Sequence, residues 1–128
     1  MSNSTPSDCP FCSIPSSRVR ETSTFGFAVD DAFPVSLGHS LIIVNRYVEN
    51  FCELTQEEMA CLMNLLRTVK QRLDKSVMPT GYNVGVNVGA VAGQTVMHVH
   101  IHLIPRYPDD APDPSGGVRN IIPGRGRY

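Results

Sequence analysis

The chain has 128 residues, with 11 Lys and Arg against 12 Asp and Glu, which gives a formal net charge of −1 at pH 7. This balance leaves no overall field to draw the protein onto nucleic acid or an anionic membrane, and the length suits one core rather than two. No apolar run reaches the ~18–20 residues that span a bilayer, and residues 1–10 do not have the pattern of a signal peptide. We therefore expect a single soluble, cytoplasmic domain over residues 1–128, with no nucleic-acid or membrane partner.

Short strands are predicted at residues 18–22 and 25–30, and the apolar run at 40–44 predicts a central strand. Thr55 and Glu58 have the spacing of a capping box, in which each side chain bonds to the backbone amide of the other residue. Apolar residues then recur at helical spacing until a proline at position 79 prevents continuation. The pattern predicts one long helix at about 56–76.

Alternation with a period of two predicts further strands at residues 82–88 and 97–104, joined by a loop of small residues. Proline and glycine dominate after that, which predicts an extended tail at 107–128. Strands, one long helix and then more strands, with connections short enough for antiparallel neighbours, are typical of an α+β fold.

Three of the four histidines alternate with apolar residues in the last predicted strand. Because successive side chains of a strand point to opposite faces, we expect His98, His100 and His102 to line one surface while their apolar neighbours enter the core. A row of imidazoles suits metal binding, or acid–base and nucleophilic catalysis. A lone histidine in a strand would more simply be a satisfied polar residue, but three in register favour a site.

The loop before the histidines favours phosphate over a metal ion as the ligand. Gly89 and Gly93 let the backbone approach a ligand closely, and the amides of such a loop can bind phosphate oxygens. Thr95 adds a hydroxyl donor, whereas residues 89–97 offer a metal no carboxylate, cysteine or histidine. A glycine-containing loop alone is equally explained as a turn, so the interpretation depends on its place beside the histidines.

The segment G-Q-T-V-M-H-V-H-I-H, residues 93–102, resembles the signature of the histidine triad (HIT) superfamily. The resemblance extends over residues 38–44, 48–51 and 83–105. It implies a five-stranded antiparallel sheet carrying the helix at about 56–76, paired with a second copy as a homodimer. A helix whose apolar arc is widened by Met59 and Met63 is consistent with such pairing, although methionines that fill gaps would explain it as well.

Members of this superfamily are nucleotide hydrolases or nucleotidyl transferases that act at the α-phosphate and need no cofactor. The resemblance therefore implies cleavage of a nucleoside phosphoramidate or a dinucleoside polyphosphate through a covalent nucleotidyl-histidine, with release of a nucleoside monophosphate. A purine nucleotide, with AMP as the product, is the family-level expectation. The alternative is a nucleotide-binding or interaction protein with little physiological catalysis, and the intact triad favours the enzyme.

The resemblance also assigns roles to individual residues. His100 would be the nucleophile, His102 would contact the phosphoryl oxygens and protonate the leaving group, and His98 would orient and polarise the site. His39 would be hydrogen-bonded behind the triad. The expected substrate contacts are Asp31 at the ribose hydroxyls and Asn87, Gly93 and Thr95 near the phosphate.

Cys9 and Cys12 form a C-x-x-C motif that could hold half of a zinc site or act as a redox pair. Bacterial relatives complete a zinc site with a histidine before Val-Glu-Asn and with the first triad histidine. Tyr47 stands at the former position here, so zinc would have only Cys9, Cys12 and His98, whereas a closed structural site has four ligands. The alternative is a pair of reduced thiols.

Overall fold

The computed structural model describes residues 8–127, so that residues 1–7 and 128 of the predicted domain and tail lie outside the described residues. Within residues 8–127 the strands are β1 Val19–Thr22, β2 Gly26–Asp30, β3 Ser40–Val44, β4 Gly81–Gly85 and β5 His100–Arg106. They form one sheet in the order β1-β2-β3-β5-β4, and every neighbouring pair is antiparallel. The described residues contain one α-helix, α1, which spans Gln56–Ser76. The prediction of an α+β fold is confirmed.

The ends of α1 and β3 agree with the sequence prediction, and the two hydrogen bonds of the capping box between Thr55 and Glu58 are both present. Both of the last two predicted strands are present, but their predicted bounds were wrong, because β4 ends at Gly85 and β5 begins only at His100. The amide of Val99 donates to the carbonyl of Val48, 2.8 Å away, so the chain just before β5 bonds to the segment that follows β3 instead of continuing the regular strand.

The sheet has two covered faces. α1 packs on one of them through its buried apolar stripe, and Val99, Ile101 and Leu103 enter that core. On the other face a smaller cluster forms around Leu41 and Ile43, where residues of the N-terminal segment pack against it. Because β5 alternates, its histidines lie on this second face. The stripe of α1 consists of Leu62, Leu65, Val69 and Leu73.

The C-terminal segment is more folded than predicted. Arg106 makes a bidentate ion pair with Asp110. A short 3₁₀ helix at Gly117–Ile121 lies beside β4. The hydroxyl of Tyr107 donates to the carbonyl of Leu37 at 2.6 Å. These contacts turn the chain back along the β4 side of the sheet. Among residues 8–127, none of the helices has the length and apolar character needed to cross a membrane.

The close approach of α1 to β2 gives a test of the packing. A Cβ atom on Gly26 would lie 2.5 Å from Leu62 Cδ2 and 2.9 Å from the carbonyl oxygen of Ile43. We expect Gly26→Ala to lower the free energy of unfolding by about 1–3 kcal/mol, because overpacking forces the helix or strand to shift. Gly81→Ala in β4 is the control, since a Cβ there meets nothing within 4 Å. The free energy of unfolding of both variants is measured by urea denaturation. Equal urea midpoints for Gly26→Ala and Gly81→Ala would contradict the close contact between α1 and β2.

Candidate active site

Two of the triad histidines lie where the alternation predicts, and the third does not. His100 and His102 are half-buried on the face opposite α1 and line a cavity of about 430 Å³. His98 is fully buried, so the expectation that all three histidines line one surface was wrong. The cause is the loop from Cys9 to Cys12, which covers its imidazole: Phe11 packs edge-on, with ring centroids 6.1 Å apart.

Hydrogen bonds to backbone carbonyls fix the tautomers of His98 and His100. Nδ1 of His100 lies 2.8 Å from the carbonyl oxygen of His98, and Nε2 of His98 lies 2.6 Å from that of Val44. A carbonyl oxygen only accepts, so each of these nitrogens carries the proton. Neutral His100 therefore has its lone pair on Nε2, and neutral His98 has its lone pair on Nδ1.

A chain of contacts behind His102 fixes its tautomer as well. The amide of Val35 donates to Nδ1 of His39 at 3.1 Å, so the proton of neutral His39 is on Nε2. That nitrogen lies 2.9 Å from Nδ1 of His102 and 3.3 Å from Oδ2 of Asp31. His102 Nδ1 therefore accepts, and neutral His102 carries its proton on Nε2 as a donor. The contact between Asp31 and His39 was not predicted.

Burial favours the neutral form of these imidazoles. Burial lowers the pKa of His102, and the neighbouring His100 and His39 lower it further, while Asp31 opposes them. Burial also lowers the pKa of His39, again against the attraction of Asp31. The pKa of His98 is lowered by burial as well. Burial therefore favours the neutral forms of His39, His98 and His102 at neutral pH, in which their lone pairs and N–H donors have fixed directions.

The buried side chain of Gln94 fixes the conformation of the loop before β5 through hydrogen bonds to the backbone. Its Oε1 accepts from the amide of Gly89 at 2.9 Å, and its Nε2 donates to the carbonyl of Glu49 at 2.8 Å. Gly89 and Gly93 both have φ near +90°, a conformation that favours glycine. Every predicted substrate contact borders the cavity of His100 and His102. These residues are Asp31, Asn87, Gly93 and Thr95.

A second cavity of about 360 Å³ adjoins the first one. Asn87 and His102 border both, so they lie between the two spaces. Of the described residues that line the second cavity, none is Lys or Arg, and Val35, Val84 and Val118 supply apolar surface. The arrangement offers two neighbouring compartments that meet at His102.

This combination of fold and site can be compared with known proteins. A family model described as "HIT domain" matches residues 13–109, which is most of the chain. The chain belongs to the HIT domain family. The match includes the three histidines and the loop before them, whereas Cys9 and Cys12 lie outside it.

Three HIT relatives illustrate the similarity. An uncharacterized HIT-like protein of Mycoplasma genitalium is 36% identical over 112 residues, or 84% of this chain and 79% of that protein. The adenosine 5'-monophosphoramidase of Schizosaccharomyces pombe is 36% identical over 103 residues, or 77% of this chain and 74% of that protein. A HIT family protein from Bacillus anthracis has a crystal structure with a TM-score of 0.76 at 30% identity, covering 83% of this chain and 78% of that one. The family resemblance is confirmed.

The possible zinc ligands of this HIT chain come together, but they make an incomplete set. Nδ1 of His98 lies 3.3 Å from Sγ of Cys9 and 3.4 Å from Sγ of Cys12. Among residues 8–127 this donor group has three members, although zinc in a structural site takes four. Tyr47 packs its ring edge-on against His98 and donates its hydroxyl to Glu49 at 2.6 Å. That bond is the main cause that raises the pKa of Tyr47 to about 12, so it stays a protonated, poor ligand. The residues do not fit a closed zinc site.

Sequence reasoning missed three residues of the HIT site. Phe11 and Arg18 border the main cavity, although the C-x-x-C motif at residues 9–12 predicts only a metal site or a redox pair. No local pattern points to them, because the N-terminal segment reaches the cavity only through the fold. Gln94 could have been found, since a polar residue between Gly93 and Thr95 of the HIT signature has to be satisfied once the loop is buried.

Proposed function

We propose that this protein is a nucleotide hydrolase or nucleotidyl transferase that cleaves at the α-phosphate of a nucleoside phosphoramidate or dinucleoside polyphosphate. A nucleoside monophosphate, AMP for an adenosine substrate, is the product. The observation that carries the proposal is the hydrogen bond from His100 Nδ1 to the carbonyl of His98. It leaves the Nε2 lone pair of His100 as a nucleophile at the cavity.

In the first step Nε2 of His100 attacks the α-phosphorus and the bond to the leaving group breaks. The leaving atom takes the Nε2 proton of His102 in its imidazolium form, the minor form at neutral pH, whose positive charge Asp31 favours from 4.0 Å away. In the second step water attacks the phosphorus, neutral His102 accepts a proton of that water, and His100 departs from the phosphorus. Both histidines return to their starting forms, and no step requires a metal ion.

The remaining residues would hold the substrate. Amides of the loop between Gly89 and Thr95, together with the side chains of Thr95 and Asn87, would bind the α-phosphate oxygens. Asp31 has one oxygen occupied by the amide of Phe33, and its other oxygen is available to ribose hydroxyls or to His39. We infer a homodimer from the family resemblance.

The second cavity favours phosphoramidates over dinucleoside polyphosphates as substrates. A leaving group that departs past His102 would enter this space, where Val84 and Val118 are present and Lys and Arg are lacking among the described lining residues. A polyphosphate carries several negative charges and binds best to cations. An amine with an apolar substituent matches the lining better. The adenosine 5'-monophosphoramidase of S. pombe supports the same choice.

The experiment is turnover of an adenosine phosphoramidate with an alkylamine leaving group beside a set of dinucleoside polyphosphates, with and without EDTA. We expect AMP release that EDTA leaves unchanged, and a higher kcat/KM for the phosphoramidate. Faster cleavage of the polyphosphates would overturn the choice of substrate. If AMP binds but none of the substrates is cleaved, the chain is a nucleotide-binding protein and the enzyme proposal fails.

A further inference from the structure

The Cys9–Cys12 loop, residues 9–12, is a chemically active element that the proposed reaction does not use. It lies outside the residues that match the HIT family, and its sulfur atoms face a buried histidine rather than substrate. Cys9 is buried, whereas Cys12 is half-exposed. Cys9, Cys12 and His98 are too few ligands for a closed zinc site. Two adjacent thiols can instead form a disulfide.

The geometry of the loop suits disulfide formation. The amide of Cys12 donates to the carbonyl of Cys9 at 3.3 Å, which closes a turn and brings the two residues to one side. Both sulfur atoms lie within 4.8 Å of each other and of His98 Nδ1. A disulfide needs its sulfur atoms about 2.05 Å apart, so a small rotation of the side chains is required. Both thiols now bond to the same nitrogen and would give up those bonds.

The same loop forms a wall of the nucleotide cavity. The ring of Phe11, between the two cysteines, meets the ring of His100 edge-on at 4.9 Å between centroids. Pro10 and Phe11 border the cavity together with His100 and Thr95. Formation of a bond between Cys9 and Cys12 would therefore shift Phe11, whose ring contacts His100.

We propose that Cys9 and Cys12 form a reversible disulfide by exchange with small-molecule disulfides such as oxidised glutathione, and that this disulfide weakens nucleotide binding through Phe11. The first half stands on the loop geometry alone, whereas the second half rests on the proposed function of the cavity. Cys12, the more exposed thiol, is the one that meets the incoming disulfide.

The exchange balances in two steps. Cys12 loses its proton to solvent, and its thiolate attacks oxidised glutathione, forming a mixed disulfide and releasing one glutathione thiolate. Cys9 then loses its proton, its sulfur attacks the sulfur of Cys12, and the second glutathione leaves as a thiolate. The two glutathione thiolates take up the two protons that the cysteines have lost. In sum, two protein thiols and one glutathione disulfide become one protein disulfide and two reduced glutathiones. Two electrons pass to glutathione, and a reducing thiol reverses the reaction.

The test uses the full chain in EDTA, incubated with oxidised glutathione or with a reducing thiol. We expect the oxidised protein to lose the mass of two hydrogens, and peptide mapping to join Cys9 to Cys12. Calorimetry should then find AMP binding weaker by about 10- to 100-fold, the factors that correspond to about 1.4–2.8 kcal/mol, because displacement of Phe11 removes part of the pocket wall. A reducing thiol should restore both the mass and the affinity.

Matched variants separate the two halves of the proposal. The double substitution Cys52→Ser/Cys61→Ser removes the other thiols and should keep the full response. Phe11→Ala should form the disulfide while its affinity for AMP no longer depends on oxidation. Thiols that stay reduced, or a disulfide elsewhere, would overturn the first half. A disulfide with unchanged AMP affinity would overturn the second. If AMP affinity responds but neither form cleaves a nucleotide, only the proposed catalysis fails.

Discussion

Replacement of His100 by Asn should lower the rate of AMP release by ~10³-fold or more, the scale on which loss of a nucleophile acts. The reason is that an Asn amide can still donate to the carbonyl of His98, as Nδ1 of His100 does from 2.8 Å, but it has no nucleophilic nitrogen at the position of Nε2. The substitution therefore removes the reacting atom and keeps its support. Affinity for AMP should remain close to that of the wild type.

The measurement is single-turnover kinetics on an adenosine phosphoramidate, with acid and base stability of the trapped nucleotidyl-enzyme as a second readout. A phosphorus–nitrogen bond to imidazole is labile in acid and stable in base, unlike an ester to serine or threonine. His100→Gly with added imidazole is the control, since the free base can take the empty position and restore part of the rate. A His100→Asn enzyme that keeps more than about a tenth of the activity would contradict the mechanism, because the expected loss is far larger.

Loss of His102 should depend strongly on the leaving group. We expect His102→Ala to slow cleavage of an alkylamine phosphoramidate by about 10²–10⁴-fold, the usual contribution of a general acid. The burst of p-nitrophenolate from the p-nitrophenyl ester of AMP, which reports the first step alone, should be affected much less, because this leaving group departs without a proton. Since burial lowers the pKa of His102 below its ordinary value of 6.5, wild-type activity on the amine substrate should already fall as the pH rises towards 6.5 and be low at neutral pH.

Both substrates are compared under the same conditions, so that any general damage to the fold appears equally in both rates. His39→Ala serves as the matched variant: it removes the donor that lies 2.9 Å from His102 Nδ1 but leaves the His102 imidazole in place. We expect it to keep the discrimination between leaving groups while lowering both rates. Equal losses for the two substrates in His102→Ala would exclude His102 as the proton donor.

The periodicities of the sequence account for most of the fold. The capping box at Thr55 fixes the start of α1, and the continuous apolar run of β3 reflects burial on both of its faces. Alternation in β5 correctly separates His100 and His102 from the core residues between them. Local pattern alone carries these features, because each depends on the side-chain period of a single element.

Other features depend on segments far apart in the sequence. His98 follows the same alternation as its neighbours, and it is buried only because a loop 89 positions earlier covers it. Nothing within residues 97–100 marks the start of β5, since the chain before it bonds to a distant segment through Val99 and Val48. The pairing of Asp31 with His39 likewise arises from the turn between β2 and β3. The alternation of residues within one helix or strand contains no information about contacts with distant segments of the chain.

The position of β5 has a consequence for how the protein acquires its activity during synthesis. β5 is the last strand of the described residues, yet it lies between β3 and β4, and its register with β3 places His100 opposite Ile43. Until the ribosome has released it, the facing edges of β3 and β4 have no partner and are open to other chains. His100, the proposed nucleophile, thus arrives with the strand that closes the sheet. Recovery of activity on refolding should coincide with the final insertion step, and chains that stall before it should aggregate rather than accumulate as partly active enzyme.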